Sequence, residues 1–428
     1  MVSAKAPTDQ EMDVTLPVGV ISPYRWEGRH MPTAGEPHLA TASIDEAVVD
    51  AMLQYGIVGC GVALLHGSDV VSVRGYGYAE LERHPFLPDT ASRCGSLAKP
   101  LTALCTLLLF DQGRVDLDEP ILPILARIGI EPRPVGSDVV DPRLQRITVR
   151  DLMDHTSGLP NGATYTAWRP NRDVALAHEL DRPATAADVC CDALGSAELI
   201  SEPGTRYEYA NANFVLLARI VEAAAGEEFN SYLTKRAMPR FGVDPGGVYV
   251  SRNQDGPGSP SRGTNEARYY QTSAERYVSY RPMDRDFGQT LGEAYLGYST
   301  EAADGAGGIA CTAAALGKVL ANLHSDAPAI SPKSMSEICT PPMHYKQNPE
   351  FDLSSSSFYS KGFNVRIIEG TPWLGHGGMT NHCGGSIGYA SGYRYAAVSN
   401  WNHTGEPYVH TILERALTAA LSHSGSDE

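Results

Sequence analysis

Ser96-Leu97-Ala98-Lys99-Pro100-Leu101-Thr102-Ala103-Leu104-Cys105-Thr106-Leu107-Leu108-Leu109-Phe110-Asp111-Gln112-Gly113 is the stretch on which the reading of this chain turns. Residues 97–112 are strongly apolar and stop at glycine, the residue type that follows a helix C-terminus because it takes left-handed backbone without steric cost. A buried helix is therefore predicted to start at about Ser96. Pro100 stands in the first turn, where a missing N–H is tolerated. Residues three apart share a helix face, so the Lys99 amine comes within reach of the Ser96 hydroxyl. The helix N-terminus adds free N–H groups and a positive dipole end beside that hydroxyl. Serine is a poor nucleophile at neutral pH without a base nearby, which makes Ser96 and Lys99 the first candidate pair for chemistry.

Upstream, Ser43-Ile44-Asp45-Glu46 reads as a capping box, and Ala47, Val48, Ala51 and Met52 have the spacing of a helix face, predicting a helix near 44–54. Two β-rich runs, 61–65 and 69–73, flank His66-Gly67-Ser68 as a hairpin. Residues 1–40 are rich in Pro and polar residues without a period and read as a leader or an arm over the surface. Downstream, Pro-rich loops alternate with short helical segments from Asp116 to about Ala224, including 149–153 and 214–224. Residues 241–305 hold many tyrosines (249, 269, 270, 277, 280, 295, 298) with weak periodicity, which predicts a long ordered excursion over the surface. After a helix over 312–323, strand text returns at 362–368, 373–376, 386–390 and 393–398, and an apolar-striped helix over 407–421 closes the chain. The expected plan is a single unit over 41–428, with a sheet region at about 41–115 and 306–428 and a helical region with long loops at about 116–305.

The 428 residues include 50 Asp and Glu against 34 Lys and Arg, a net charge of −16 that repels nucleic acid and anionic membranes. Hydrophobic residues at 42% and charged residues at 20% are ordinary globular usage, which excludes disordered and fibrous classes. The first 17 residues lack the basic start and apolar run of a secretion signal, and no apolar stretch reaches the ~18 residues of a membrane span. Eight scattered cysteines without a C-x-x-C pair read as reduced thiols, so the expected location is the cytoplasm. His178-Glu179 has no second histidine at metal-binding spacing; no metal and no cofactor is expected. Adjacent Cys190 and Cys191 read as core residues. Cys94 lacks the partners that a thiol mechanism would need.

Two further segments carry candidate chemistry. Tyr209-Ala210-Asn211 offers a phenol, whose pKa an adjacent lysine ammonium would lower, and an amide able to bind a substrate carbonyl or Lys99. In Gly375-His376-Gly377-Gly378, at the end of a strand, His376 and Gly378 share a face. The imidazole would point into a cleft, and the missing side chain at Gly378 would let a substrate backbone approach. The backbone N–H near Met379 could complete an oxyanion site with that of Ser96.

Ser96-x-x-Lys99, Tyr209-x-Asn211 and His376-x-Gly378 occur in the order and approximate spacing of one family. The chain resembles the serine β-lactamase and penicillin-binding-protein superfamily, in particular its class C β-lactamase-like esterase and transacylase branch. Gly75–Ala79 with Pro88-Asp89-Thr90, the segment 113–118, Leu152-Met153-Asp154-His155-Thr156-Ser157-Gly158-Leu159 and the segment 307–312 look like the same branch, so the resemblance spans about residues 44–420. It implies an α/β (α+β type) fold: an antiparallel sheet of N- and C-terminal strands, flanked by helices, with a mostly helical region inserted. It further implies that Ser96 is the acylated nucleophile, that Lys99 and Tyr209 handle its proton in an order left open, and that Asn211, His376, Gly378 and Met379 line the substrate site. His376 stands where β-lactamases usually carry lysine, which looks like the esterase, peptidase and acyltransferase members. In the His155-Thr156-Ser157-Gly158 box the family uses the turn structurally. The expected activity is acyl transfer through acyl-Ser96, hydrolysing a small-molecule ester or amide or passing the acyl group to an amine or alcohol. The alternatives are a D-amino-acid peptidase, carboxypeptidase or β-lactamase-like hydrolase, and a non-catalytic ligand-binding or sensor protein on the same fold.

Overall fold

Gly59–His66 and Asp69–Glu80 form the expected hairpin, the first strand longer at both ends and the second longer at its C-terminal end than the apolar text suggests. Its first strand pairs on its other side with Tyr393–Asn400, from the far end of the chain. Cys383–Ala390, Thr371–Thr380, Phe363–Ile368 and Ser357–Ser360 continue the sheet in one direction. Thr33–Ala34 and His84–Pro85 add to Asp69–Glu80 at the other edge, giving nine strands, all paired antiparallel. A computed structural model describes residues 26, 30–36, 42–135, 140–161, 170–182, 184–252, 265–270, 276–278, 290–292, 299–353, 356–380, 383–390, 392–400 and 409–424.

Successive side chains of a strand point to opposite faces, and both faces of this sheet are covered. Val62 and Leu64 pack with Val48 and Met52 of the helix Ala42–Tyr55 and with Leu413 and Leu417 of the helix Val409–Ser424. Ala63 and Leu65 face the larger core, which contains the helix Ala98–Asp111. Burial on both sides explains why residues 61–65 read as an unbroken apolar run and not as an alternating one. Every residue from Ala98 to Leu109 is buried, as expected of a helix apolar all round. Its polar members are satisfied: the Thr102 hydroxyl donates to the carbonyls of Gly305 and Ala98, and that of Thr106 to the carbonyl of Thr102. Against this helix lies Asn211–Ala225 of the helical middle, and Ile121–Ala126, Val149–Met153 and Ala186–Ser196 pack in turn on Asn211–Ala225 within the same core.

A three-stranded sheet of Ala91–Arg93, Ile309–Thr312 and Val248–Val250 lies just ahead of the Ser96 turn. Residues 265–270 brace it: Arg93 donates to Ser251 Oγ at 3.0 Å, lies 3.5 Å from Glu266 and 4.7 Å over the Tyr269 ring. Tyr269 and Tyr270 of the tyrosine-rich excursion are thus core residues; Tyr280, Tyr295 and Tyr298 lie outside the described residues. Within residues 1–40, Trp26 departs from the surface path expected of that stretch. Trp26 is buried, donates to the carbonyl of Ile57 at 3.1 Å and stacks on Tyr78, because an indole recovers more by burial than a Pro-rich context suggests. Among the described residues, no helix is long and apolar enough to cross a membrane.

Candidate active site

Ser96 occupies a 3-10 turn, Gly95–Leu97, that leads directly into the helix Ala98–Asp111, so the predicted helix start is one tighter turn plus the helix proper. The turn is pressed against the strand Thr371–Thr380. A methyl group on Gly95, at φ +54°, would fall 2.3 Å from the Met379 nitrogen, and one on Gly378 would fall 2.0 Å from the Cys94 carbonyl oxygen and 2.7 Å from the Ser96 nitrogen. Only glycine permits this approach, which sets the Gly378–Met379 backbone directly against the Gly95–Ser96 backbone.

Lys99 is fully buried, and its Nζ donates to three oxygens: Ser96 Oγ at 3.0 Å, Asn211 Oδ1 at 2.8 Å and the carbonyl of Ala306 at 2.8 Å. It lies 4.8 Å over the Tyr209 ring. Burial brings its pKa down to about 7. Asn211 is the first residue of the helix Asn211–Ala225, which starts three residues earlier than its apolar text. The Ala306 carbonyl comes from the short helix Asp304–Gly307, anchored by the buried ion pair of Asp304 with Arg219. A backbone carbonyl leaves no mark in a sequence, so this third Lys99 partner was not legible there.

Tyr209 is pushed well above its usual pKa, burial being the main cause, with its hydrogen bond to Ser96 acting the other way. This corrects the expectation that Lys99 would lower it. The lysine is itself pushed toward neutrality, and desolvation of a phenolate outweighs what a partial charge returns. His376 is buried in the same strand as Gly378; its Nδ1 lies 2.6 Å from the Gly377 carbonyl and its Nε2 3.4 Å from the Tyr359 hydroxyl. Tyr359 in turn meets the Tyr209 ring edge-on, with centroids 6.2 Å apart.

The fold thus brings Ser96, Lys99, Tyr209 and Asn211 into direct contact, sets the Gly378 and Met379 backbone against the Ser96 turn, and reaches His376 through Tyr359. Asn381 and His382, in the loop after the third box, lie outside the described residues. Residues passed over in the sequence adjoin the site: His155, Asn213 and Ser157 form a buried polar group behind Tyr209. Their box does form a turn, but its side chains reach a segment more than fifty positions away, which no local pattern signals. Elsewhere, His178 pairs with Asp192 at 2.9 Å, Cys190 and Cys191 are core residues, and the Cys94 thiol lies 3.3 Å from the carbonyl of Ile309.

The chain belongs to the beta-lactamase family, a fold family of serine hydrolases: the family model described as Beta-lactamase matches residues 44–420. Among individual proteins, it is 29% identical over 215 residues to Protein Rv1367c of Mycobacterium tuberculosis, covering 49% of this chain and 51% of that one, so the match spans about half the length of that relative. It is 26% identical over 289 residues to Acyltransferase calJ of Penicillium decumbens, covering 66% of this chain and 64% of the relative. In three dimensions it resembles the D-amino acid amidase of Ochrobactrum anthropi with a TM-score of 0.66 at 21% identity, over 91% of this chain and 99% of the amidase, a likeness of fold.

Proposed function

We propose that the protein is a serine acyl-transfer enzyme working through an acyl-Ser96 intermediate, which hydrolyses a small-molecule ester or amide or hands its acyl group to an amine or alcohol. The observation that carries this reading is the hydrogen-bond shell of Lys99. Two of its partners, Asn211 Oδ1 and the Ala306 carbonyl, can only accept. A neutral amine has two N–H bonds and one lone pair, so with both N–H bonds given to these oxygens the lone pair falls on the third contact, Ser96 Oγ. With a pKa of about 7 the neutral form is populated at ordinary pH.

Lys99 then takes the Ser96 proton as Oγ bonds to the acyl carbon. The oxyanion that forms is held by the N–H groups of Ser96 and Met379. As the intermediate collapses and the bond to the leaving group breaks, Tyr209, kept protonated by burial, gives the leaving group its proton and recovers one from Lys99. Asn211 holds Lys99 through Oδ1, and its Nδ2 is the donor for a substrate carbonyl. His376 and Gly378 form the substrate wall. Water or an acceptor amine or alcohol, delivering its own proton back along the same groups, releases the acyl group.

The test is intact-protein mass after mixing wild type and Ser96→Ala with a panel of activated esters, with and without an added amine. The expected result is an acyl adduct on wild type alone. Faster discharge with amine assigns transfer, and discharge indifferent to amine assigns hydrolysis. Equal labelling of Ser96→Ala, or no adduct and no turnover with any ester, overturns the reading.

A further inference from the structure

We propose that His155 is a positioning residue for Tyr209, gripping the chain on both sides of the phenol; the inference rests on the reading of Tyr209 as proton donor. The Glu208 N–H donates to the His155 carbonyl at 2.8 Å and the Ala210 N–H to His155 Nδ1 at 3.2 Å, so residues 208 and 210, which flank Tyr209, are held by the backbone and the side chain of one residue. The imidazole also packs on Tyr209, with ring centroids 4.3 Å apart.

The tautomer follows from the donors. A backbone N–H can only donate, so Nδ1 is the bare nitrogen, and Asn213 presents its Nδ2 to it at 2.9 Å. The Asn213 Oδ1 then takes the Ser157 hydroxyl at 2.6 Å. The ring hydrogen sits on Nε2, a buried atom with no hydrogen-bond partner among the described residues, amid the rings of Tyr209, Tyr359 at 5.0 Å and Phe214 at 5.1 Å. A proton on Nδ1 would face two N–H donors and stand beside Lys99, so the imidazole is held neutral, in keeping with a pKa well below the usual histidine range caused chiefly by burial. The backbone of His155 is left-handed at φ +56°, a conformation a bulky residue keeps only where its surroundings over-determine it. His155, Ala210 and Asn213 thus fix the chain from Tyr209 into the start of the Asn211–Ala225 helix.

The test compares His155→Phe, which fills the ring space without an acceptor, with His155→Asn, whose Oδ1 takes the place of Nδ1 and which accepts left-handed backbone readily. Each is assayed on an ethyl ester and a p-nitrophenyl ester of the same acid, because p-nitrophenolate leaves without needing a proton. In folded His155→Phe, kcat on the ethyl ester is expected to fall about 10²-fold and on the p-nitrophenyl ester by less than about tenfold, with His155→Asn recovering part of the ethyl-ester loss. Equal losses on both esters, no loss on either, or His155→Asn no better than His155→Phe overturns the proposal. Should His155→Phe not fold, His155→Asn is read alone, and its ethyl-ester loss must exceed its p-nitrophenyl loss. Failure of wild type to form an acyl adduct at Ser96 overturns the underlying reading instead.

Discussion

Lys99 holds two properties in tension at one position: a buried amine that would be neutral and a shell of three oxygens. If it is the base, kcat/KM should rise with pH through about 7 as Lys99 loses its proton, a limb readable from a pH–rate profile on an activated ester. Lys99→Met should lower turnover on the order of 10²–10⁴-fold. The same shift enters stability. The folded-state pKa of about 7 lies below the ordinary 10.5, so between these values the unfolded chain binds more protons and the fold gains stability as pH rises. The burial cost is therefore fully present below pH 7 and relieved toward pH 10. Thermal melts should show the wild-type Tm gaining on that of Lys99→Met across this window, whatever the offset between them. The Ser96–Lys99 pairing was legible in the sequence because it is a contact at spacing three on one helix. The direction of the Tyr209 shift was not, because spacing reports neighbouring charges and says nothing of how much water the fold excludes.

At the scale of elements, the site is a contact between a turn and a strand. Gly378→Ala places a methyl 2.0 Å from the Cys94 carbonyl, a backbone atom that cannot swing aside, so turn and strand must part. Turnover should fall by about 10²–10³-fold and stability by about 1–3 kcal/mol, measured by ester assay and urea unfolding. Gly375→Ala in the same strand is the control: its methyl meets nothing nearer than 3.4 Å, and both measures should stay close to wild type. The hairpin, the buried helix and the C-terminal strands were all legible from apolar runs and turn residues. The strand Thr371–Thr380 was read only as far as His376, because Gly377 and Gly378 have poor strand propensity and owe their extended form to Cys383–Ala390 alongside. The start of the helix Asn211–Ala225 was missed for a related reason: its first turn is set by His155 and Lys99, not by its own apolar stripe.

Across the whole molecule, a buried ion pair ties the helical middle to the edge of the sheet region. Lys361, just before the strand Phe363–Ile368, places its Nζ 2.7 Å and 2.9 Å from the two oxygens of Asp154, at the end of the helix Val149–Met153, and both residues are almost fully buried. Arg150 adds a bridge to Glu337 nearby. Asp154→Ala would leave the Lys361 ammonium with Glu337 alone, 4.0 Å away. It should cost about 3–5 kcal/mol, seen as a lower urea midpoint. No sequence pattern joins positions 154 and 361, so this tie emerges only from the fold.

The centre of the sheet pairs Val62 with Ala397. Tyr393–Asn400, which covers one edge of Gly59–His66, is synthesised roughly 15–70 s after it at typical rates. Over that interval one edge of Gly59–His66 lacks the partner strand it has in the fold, and an unpaired strand edge is a template for pairing with other chains.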